Sequence, residues 1–180
     1  MMTVYIGIDP GLPLTIGLLD EHGRNPRIVE GEALGVQVRK AGRKTPTWDN
    51  SPALLASALR RIAEGHDIPF VAIETATLRK GEGIATGGRF VGSYWLAVGV
   101  CAALDLPWIG VAAVRWKKFH GIIKSEEAQD SKELSRQAAI RAWPEAAHLF
   151  KRKMDHNRAD ALLLALWGLH TARSQTRRAS

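Results

Sequence analysis

The first twenty residues alternate between apolar and small or polar positions. In Thr3 to Asp9, Val4, Ile6 and Ile8 alternate with Tyr5, Gly7 and Asp9, the period of two that a strand requires. Pro10-Gly11 signals a turn, and Pro13 to Asp20 reads as a second strand, antiparallel to the first. Arg27 to Glu32 makes a third, weaker strand, and 35–51 reads as a long loop carrying Arg39, Lys40, Arg43 and Lys44. Asn50 or Ser51 caps a helix that has Pro52 at its first position and runs to about Glu64. Pro69 to Glu74 is a short apolar strand, and Thr75 to Arg89 is a Gly- and Lys-rich loop. Phe90 to Leu104 is a helix apolar nearly all round, so more than one of its sides is covered. Pro107 to Val111 is another strand, and Ala112 to Ser131 a basic connector of undefined structure. Lys132 to Trp143 is an amphipathic helix stopped by Pro144, and Asp155 to His170 is the last helix, before a polar, basic tail. The order β-β-β-α-β-α-β-α-α predicts an α/β fold, a mixed sheet with helices on its faces. It forms a single domain over 1–172, with 173–180 a basic flexible tail.

Composition narrows the field. The 180 residues are 46% hydrophobic and 24% charged, ordinary for a globular chain. No apolar run reaches the eighteen or so residues of a membrane span; the richest, Tyr94 to Leu106, contains Asp105. Met1-Met2-Thr3 leads straight into a strand, so no signal peptide and a cytoplasmic location are expected. The single cysteine, Cys101, excludes an intrachain disulfide and reads as a small core residue. The net charge of +7 favours polyanionic partners, nucleic acid first.

Three acidic residues stand where acids are costly. Asp9 and Glu74 each end an apolar strand, and Asp160 lies among Ala159, Ala161 and a leucine run. An isolated carboxylate in such surroundings costs several kcal/mol unless it is paired, protonated or bound to metal. Singly, each has an ordinary structural reading: a turn at Asp9, a pair between Glu74 and Lys80, a solvent-facing Asp160. Together they suit Mg²⁺, which takes hard oxygen ligands, and two such ions can serve phosphodiester cleavage.

These residues carry a resemblance. Ile6-Gly7-Ile8-Asp9-Pro10-Gly11 resembles the first strand of the RuvC resolvases, which belong to the ribonuclease H-like superfamily. Ala72-Ile73-Glu74 resembles their second acidic strand, Gly92-Ser93-Tyr94-Trp95 the start of their long apolar helix, and Ala159-Asp160-Ala161-Leu162 their last helix. The run DHNRADALLLA is similar to that of phage-encoded members. The resemblance covers about Val4 to Leu169. It implies a ribonuclease H-like mixed five-stranded sheet flanked by helices. It also implies a homodimer, with no membrane association, that resolves four-way DNA (Holliday) junctions by paired nicks, using Mg²⁺ or Mn²⁺, two ions per active site.

Asp9, Glu74 and Asp160 carry over as catalytic metal ligands, with Asp9 bridging two ions. The fourth ligand does not carry over directly: the family's acid or His falls on Asn157 here. Asp155 is the expected substitute, with His156 and Asn157 as alternatives and helix capping as its structural role. Lys117 and Lys132 fall near the family's lysines, with Lys118 able to replace Lys117. Arg79, Lys80 and Arg89 are expected to meet DNA phosphates, and Leu78 to wedge near unstacked bases. Tyr94 and Trp95 are expected anchors of a dimer interface on their helix. The competing readings are a nuclease of flaps, forks or RNA with the same carboxylates, and an inactive junction-binding protein. A kinase of the actin-like type is argued against by the short chain.

Overall fold

The alternation at the N-terminus becomes a hairpin. β1 (Met2–Asp9) pairs antiparallel with β2 (Thr15–Asp20), in a register that puts Gly7 opposite Gly17 and Asp9 opposite Thr15. β3 (Arg27–Val29) adds to β2, also antiparallel. This is a computed structural model, and it describes residues 2–38, 47–68, 70–77, 84–122 and 131–179.

The stretch expected as a loop after residue 35 contains a small ladder, β4 (Gly35–Val38) against β5 (Thr47–Asn50). Val36 and Val38 are good strand formers, but the basic residues between the two strands obscured them in the sequence. The ladder is tied at its end, where the Ser51 N–H donates to the Leu34 carbonyl at 2.9 Å. α1 (Pro52–Ala63) then starts as expected: Ser51 Oγ accepts from Leu54 N, and Pro52 sits in the first turn. β6 (His66–Asp67) makes a brief parallel pair with the start of β1.

β7 (Val71–Glu74) lies parallel to β1, and β8 (Trp108–Val111) parallel to β7. Between them runs α2 (Ile84–Ala103), which begins six residues earlier than the apolar pattern suggests. α3 (Ala113–Phe119) fills part of the connector left undefined by the sequence, and α4 (Ser131–Ala142) ends before Pro144. Two short 3₁₀ turns lead into α5 (His156–Ala179), which continues beyond His170 through most of the stretch expected as a tail.

The sheet order is β3-β2-β1-β7-β8, with β6 joining β1 off this path. The expected mixed sheet is therefore present, its five strands joined by β6 as a sixth. One face packs on α1 and α2 through Ile6, Ile8, Leu55, Leu59, Ile73 and Ala97. The other packs on α3, α4 and α5 through Ala72, Val111, Trp116, Ala139, Leu162 and Leu163. Cys101 is fully buried, as expected, and the apolar surroundings push its thiol pKa up to about 11. Among the described residues, no helix is long and apolar enough to cross a membrane.

α5 lies unusually close to the sheet. A Cβ on Gly7 would stand 2.1 Å from the Ala161 carbonyl oxygen, and one on Gly17 would stand 2.6 Å from the same residue's carbonyl carbon. Two glycines directly opposite one another thus let the helix backbone rest on the strands.

Candidate active site

Strand periodicity and register decide what the close helix faces. Gly7 contacts α5, so Asp9, two residues on, projects to the same side. Thr15 is opposite Asp9 and shares that side, as residues directly across an antiparallel pair do. On β7, Ala72 is level with Gly7 and packs in the α5 core, which puts Glu74 on this face as well. Asp160 comes down from α5, next to the Ala161 that touches the glycines. Asp9, Glu74 and Asp160 are all buried, at 8%, 8% and 9% exposure.

The electrostatics show that the three are neighbours. Burial pushes the Asp9 pKa well above the usual carboxylate range, and the charges of Glu74 and Asp160 raise it further. The Gly11 N–H, which donates to Asp9 Oδ1 at 3.1 Å, and the Lys117 ammonium oppose that rise. Burial raises the Asp160 pKa too, against Lys117, Ser135, His156 and Lys132.

Two buried polar atoms have no hydrogen-bond partner among the described residues: Asp160 Oδ1 and Thr15 Oγ1. An orphaned carboxylate oxygen beside two more carboxylates is a donor set for a hard cation. Among the described residues, no three His, Cys, Asp or Glu side chains stand at ligating geometry as they are. The residue types and the unfilled oxygen fit a divalent ion that would draw the carboxylates together.

Several residues hold this arrangement. Trp116, fully buried in α3, donates its indole N–H to Glu74 Oε2 at 2.9 Å. Lys117 places Nζ 3.8 Å from Asp160 Oδ2 and 5.0 Å from the centre of the Trp116 ring. Asn50 clamps the turn after Asp9: its Oδ1 accepts from Leu14 N at 2.9 Å, and its Nδ2 donates to Gly11 O at 3.1 Å and to Ser93 Oγ on α2 at 2.6 Å. His120 anchors α3 to α5 through a 2.7 Å contact between Nε2 and the Leu163 carbonyl.

The other expected site residues divide. Lys117 stands in the cluster, and the Lys132 charge reaches Asp160. Lys118 is exposed at the end of α3. Arg89 forms an ion pair with Asp49, joining α2 to the β4–β5 ladder. Leu78, Arg79 and Lys80 lie outside the described residues. Asp155 is buried in the 3₁₀ turn before α5 and has its own partners. Its carboxylate accepts from the Arg152 backbone N–H at 2.7 Å and from the Arg152 guanidinium at 2.8 and 3.0 Å, and the Arg158 guanidinium is 3.5 Å away. Burial opposes ionisation there, but these bonds and charges outweigh it and hold the Asp155 pKa low. Asn157 instead faces the turn after Asp9: its Nδ2 and Asp9 Oδ1 lie 3.7 and 3.5 Å from the position a Cβ on Gly11 would take.

Trp95 is 61% exposed on α2, whereas Tyr94 is buried and covers Gly110 from inside the fold. Trp95 borders a groove of about 430 Å³ between α1 and α2, lined also by Ala56, Leu96, Gly99 and Ala103.

The sequence reading missed Thr15, Asn50 and Trp116. The register opposite Asp9 is the one signal that marks Thr15. Trp116 alone among the basic residues of RWKK was a visible apolar oddity.

No family model matches the chain, and no curated protein matches it. Solved structures do. The chain is similar to the Thermus thermophilus RuvC structure at a TM-score of 0.53 and 17% identity, covering 97% of this chain and 98% of that one. It is similar also to T. thermophilus RuvC in complex with a Holliday junction substrate, at 0.54 and 12% identity over 97% and 96%. At these identities the likeness speaks for architecture: a mixed sheet flanked by helices in the RuvC, ribonuclease H-like arrangement is the fold of this chain.

Proposed function

We propose that the protein is a divalent-metal-dependent endonuclease that resolves four-way DNA junctions as a homodimer. The observation carrying this reading is the meeting of Asp9, Glu74 and Asp160, from two adjacent strands and the helix over them, with Asp160 Oδ1 unpartnered among the described residues. The RuvC-like fold and the junction bound by the T. thermophilus protein support it. So do the basic charge of the chain and the resemblance of its three acidic motifs.

In this reading Asp9, Glu74 and Asp160 hold Mg²⁺ or Mn²⁺. Asn157 takes the fourth position, and Asp155 serves to fasten the start of α5. Bound there, a pair of such ions lowers the pKa of an attacking water and stabilises the leaving oxygen. Trp116 orients Glu74 by its indole N–H, and Asn50 fixes the turn on which Asp9 sits. Lys117, already beside Asp160, offers its ammonium to the scissile phosphate. Lys132, Lys118 and the basic residues Arg79 and Lys80 meet the DNA backbone, contacts that add affinity but little sequence preference.

The α1–α2 groove with exposed Trp95 supports a second copy as the dimer partner. Two sites related by a two-fold axis suit paired incision. The α2 position of Trp95 makes it the anchor, since Tyr94 is consumed by the monomer's own packing.

The test is a panel of end-labelled DNAs with Mg²⁺ or Mn²⁺: a four-way junction, a duplex, a flap and a single strand. Paired symmetric nicks in the junction support the proposal. Junction binding without incision under either metal points to a binding protein disabled at Asn157, and cleavage of flaps alone overturns the substrate.

A further inference from the structure

Thr15 is only 1% exposed, yet its hydroxyl has no hydrogen-bond partner among the described residues. A buried hydroxyl without a partner is costly, so its presence needs a reason. Its place in the sheet supplies one. Thr15 is directly across from Asp9, on the face that carries Glu74 and lies under Asp160. Side chains so paired have Cβ atoms about 4.5–5.5 Å apart, within reach of one another's oxygens by a rotation about χ1. The only other orphaned buried side-chain atom among the described residues, Asp160 Oδ1, belongs to the same cluster. Both unmet bonds therefore lie in one incomplete site.

We propose that Thr15 is a positioning residue for Asp9. In the site that Asp9, Glu74 and Asp160 would form around a divalent cation, the Thr15 hydroxyl would donate to the Asp9 carboxylate, which already accepts from the Gly11 N–H. Gly11 and Thr15 then hold the carboxylate from two directions and fix which oxygens remain for the cation. A partner of this kind raises metal affinity without touching the metal. The inference rests on the metal-site reading above and deepens it.

The hydroxyl has no partner among the described residues, so removing it has an unusual signature. Thr15→Val, nearly isosteric, should leave urea unfolding of the metal-free protein unchanged or slightly more resistant. It should weaken Mn²⁺ binding by about tenfold, the lower end for lost partners of metal ligands. Thr15→Ser keeps the hydroxyl and should bind Mn²⁺ within a few-fold of the parent. The experiment is Mn²⁺ titration by calorimetry on all three proteins without DNA, beside urea unfolding with and without Mn²⁺. Equal Mn²⁺ affinity in Thr15→Val and the parent overturns the inference and leaves the metal site standing. A loss of metal-free stability in Thr15→Val that Thr15→Ser restores, with affinity unchanged, assigns the hydroxyl a structural role instead. No Mn²⁺ binding by the parent overturns the metal-site reading and the inference with it.

Discussion

Gly17→Ala probes the close approach of α5 to the sheet. In an open position, exchanging Gly for Ala stabilises a chain by about 0.4–1 kcal/mol, because the unfolded state loses freedom. At residue 17 the new Cβ would be 2.6 Å from Ala161 C and from Leu162 N, against 3.4 Å for ordinary contact. Both are backbone atoms of α5, so no rotamer change relieves them, and the helix must retreat by about 0.8 Å. Overpacking of this size costs about 1–3 kcal/mol, which outweighs the gain in the unfolded chain. The displacement falls on Ala161, next to Asp160. A 1 Å misplacement of a catalytic group can cost on the order of 10²-fold in rate, so junction cleavage should fall well beyond what lost stability explains. The assay is urea unfolding together with single-turnover junction cleavage at a temperature where the variant is fully folded. Gly65→Ala, where an added Cβ meets nothing within 4 Å, is the control. The reasoning is refuted if Gly17→Ala matches that control in stability and the parent in cleavage.

Three further outcomes are expected. Metal-free Asp9→Asn should be more stable than the parent at pH 7, because it removes a buried charge that Glu74 and Asp160 both repel. The Asp9 pKa is raised in the fold, so the parent recovers this deficit as pH falls from neutral toward the unfolded value of 3.8, and the difference between the two proteins should close over that window. Taking the difference also cancels His120 and His170, whose burial lowers their pKa and whose titration works in the opposite direction. Asp155→Asn should lose about 1–3 kcal/mol in urea unfolding by weakening the bonds from Arg152, while keeping cleavage within a few-fold; abolished cleavage in the folded variant would return Asp155 to the ligand set. Asn157→Asp should lower metal-free stability and tighten Mg²⁺ binding in calorimetry, since it adds a carboxylate facing Asp9; unchanged affinity would remove residue 157 from the site.

Much of this site was legible because it violates ordinary burial rules. Acids ending apolar strands at Asp9 and Glu74, and one inside a leucine run at Asp160, are visible in a one-dimensional pattern. The mixed sheet followed from alternation in the first strands and from the helices between later ones. What the sequence hid depends on contacts between distant segments. Trp116 reaches Glu74 across 42 positions, and Asn50 reaches Gly11 across 39. Gly7 and Gly17 look like strand punctuation until the register sets them opposite each other under α5. The fourth position was open for the same reason. Helix spacing put His156 and Asn157 on the face of Asp160 and left Asp155 to swing in from before the helix, and the arginines around Asp155 and the turn beside Asn157 distinguish their surroundings. The β4–β5 ladder escaped notice because its strands are short and flank a basic stretch.

The central claim is that Asp9, Glu74 and Asp160 together form a metal-dependent site that cuts branched DNA. Its most direct test is cleavage of an end-labelled four-way junction by the parent and by Asp9→Asn, Glu74→Gln and Asp160→Asn, with binding followed by gel shift. The account predicts symmetric paired nicks by the parent only when Mg²⁺ or Mn²⁺ is present, and retained binding with no nicks by each variant. Cleavage that persists in any of the three, or that proceeds in EDTA, would contradict it.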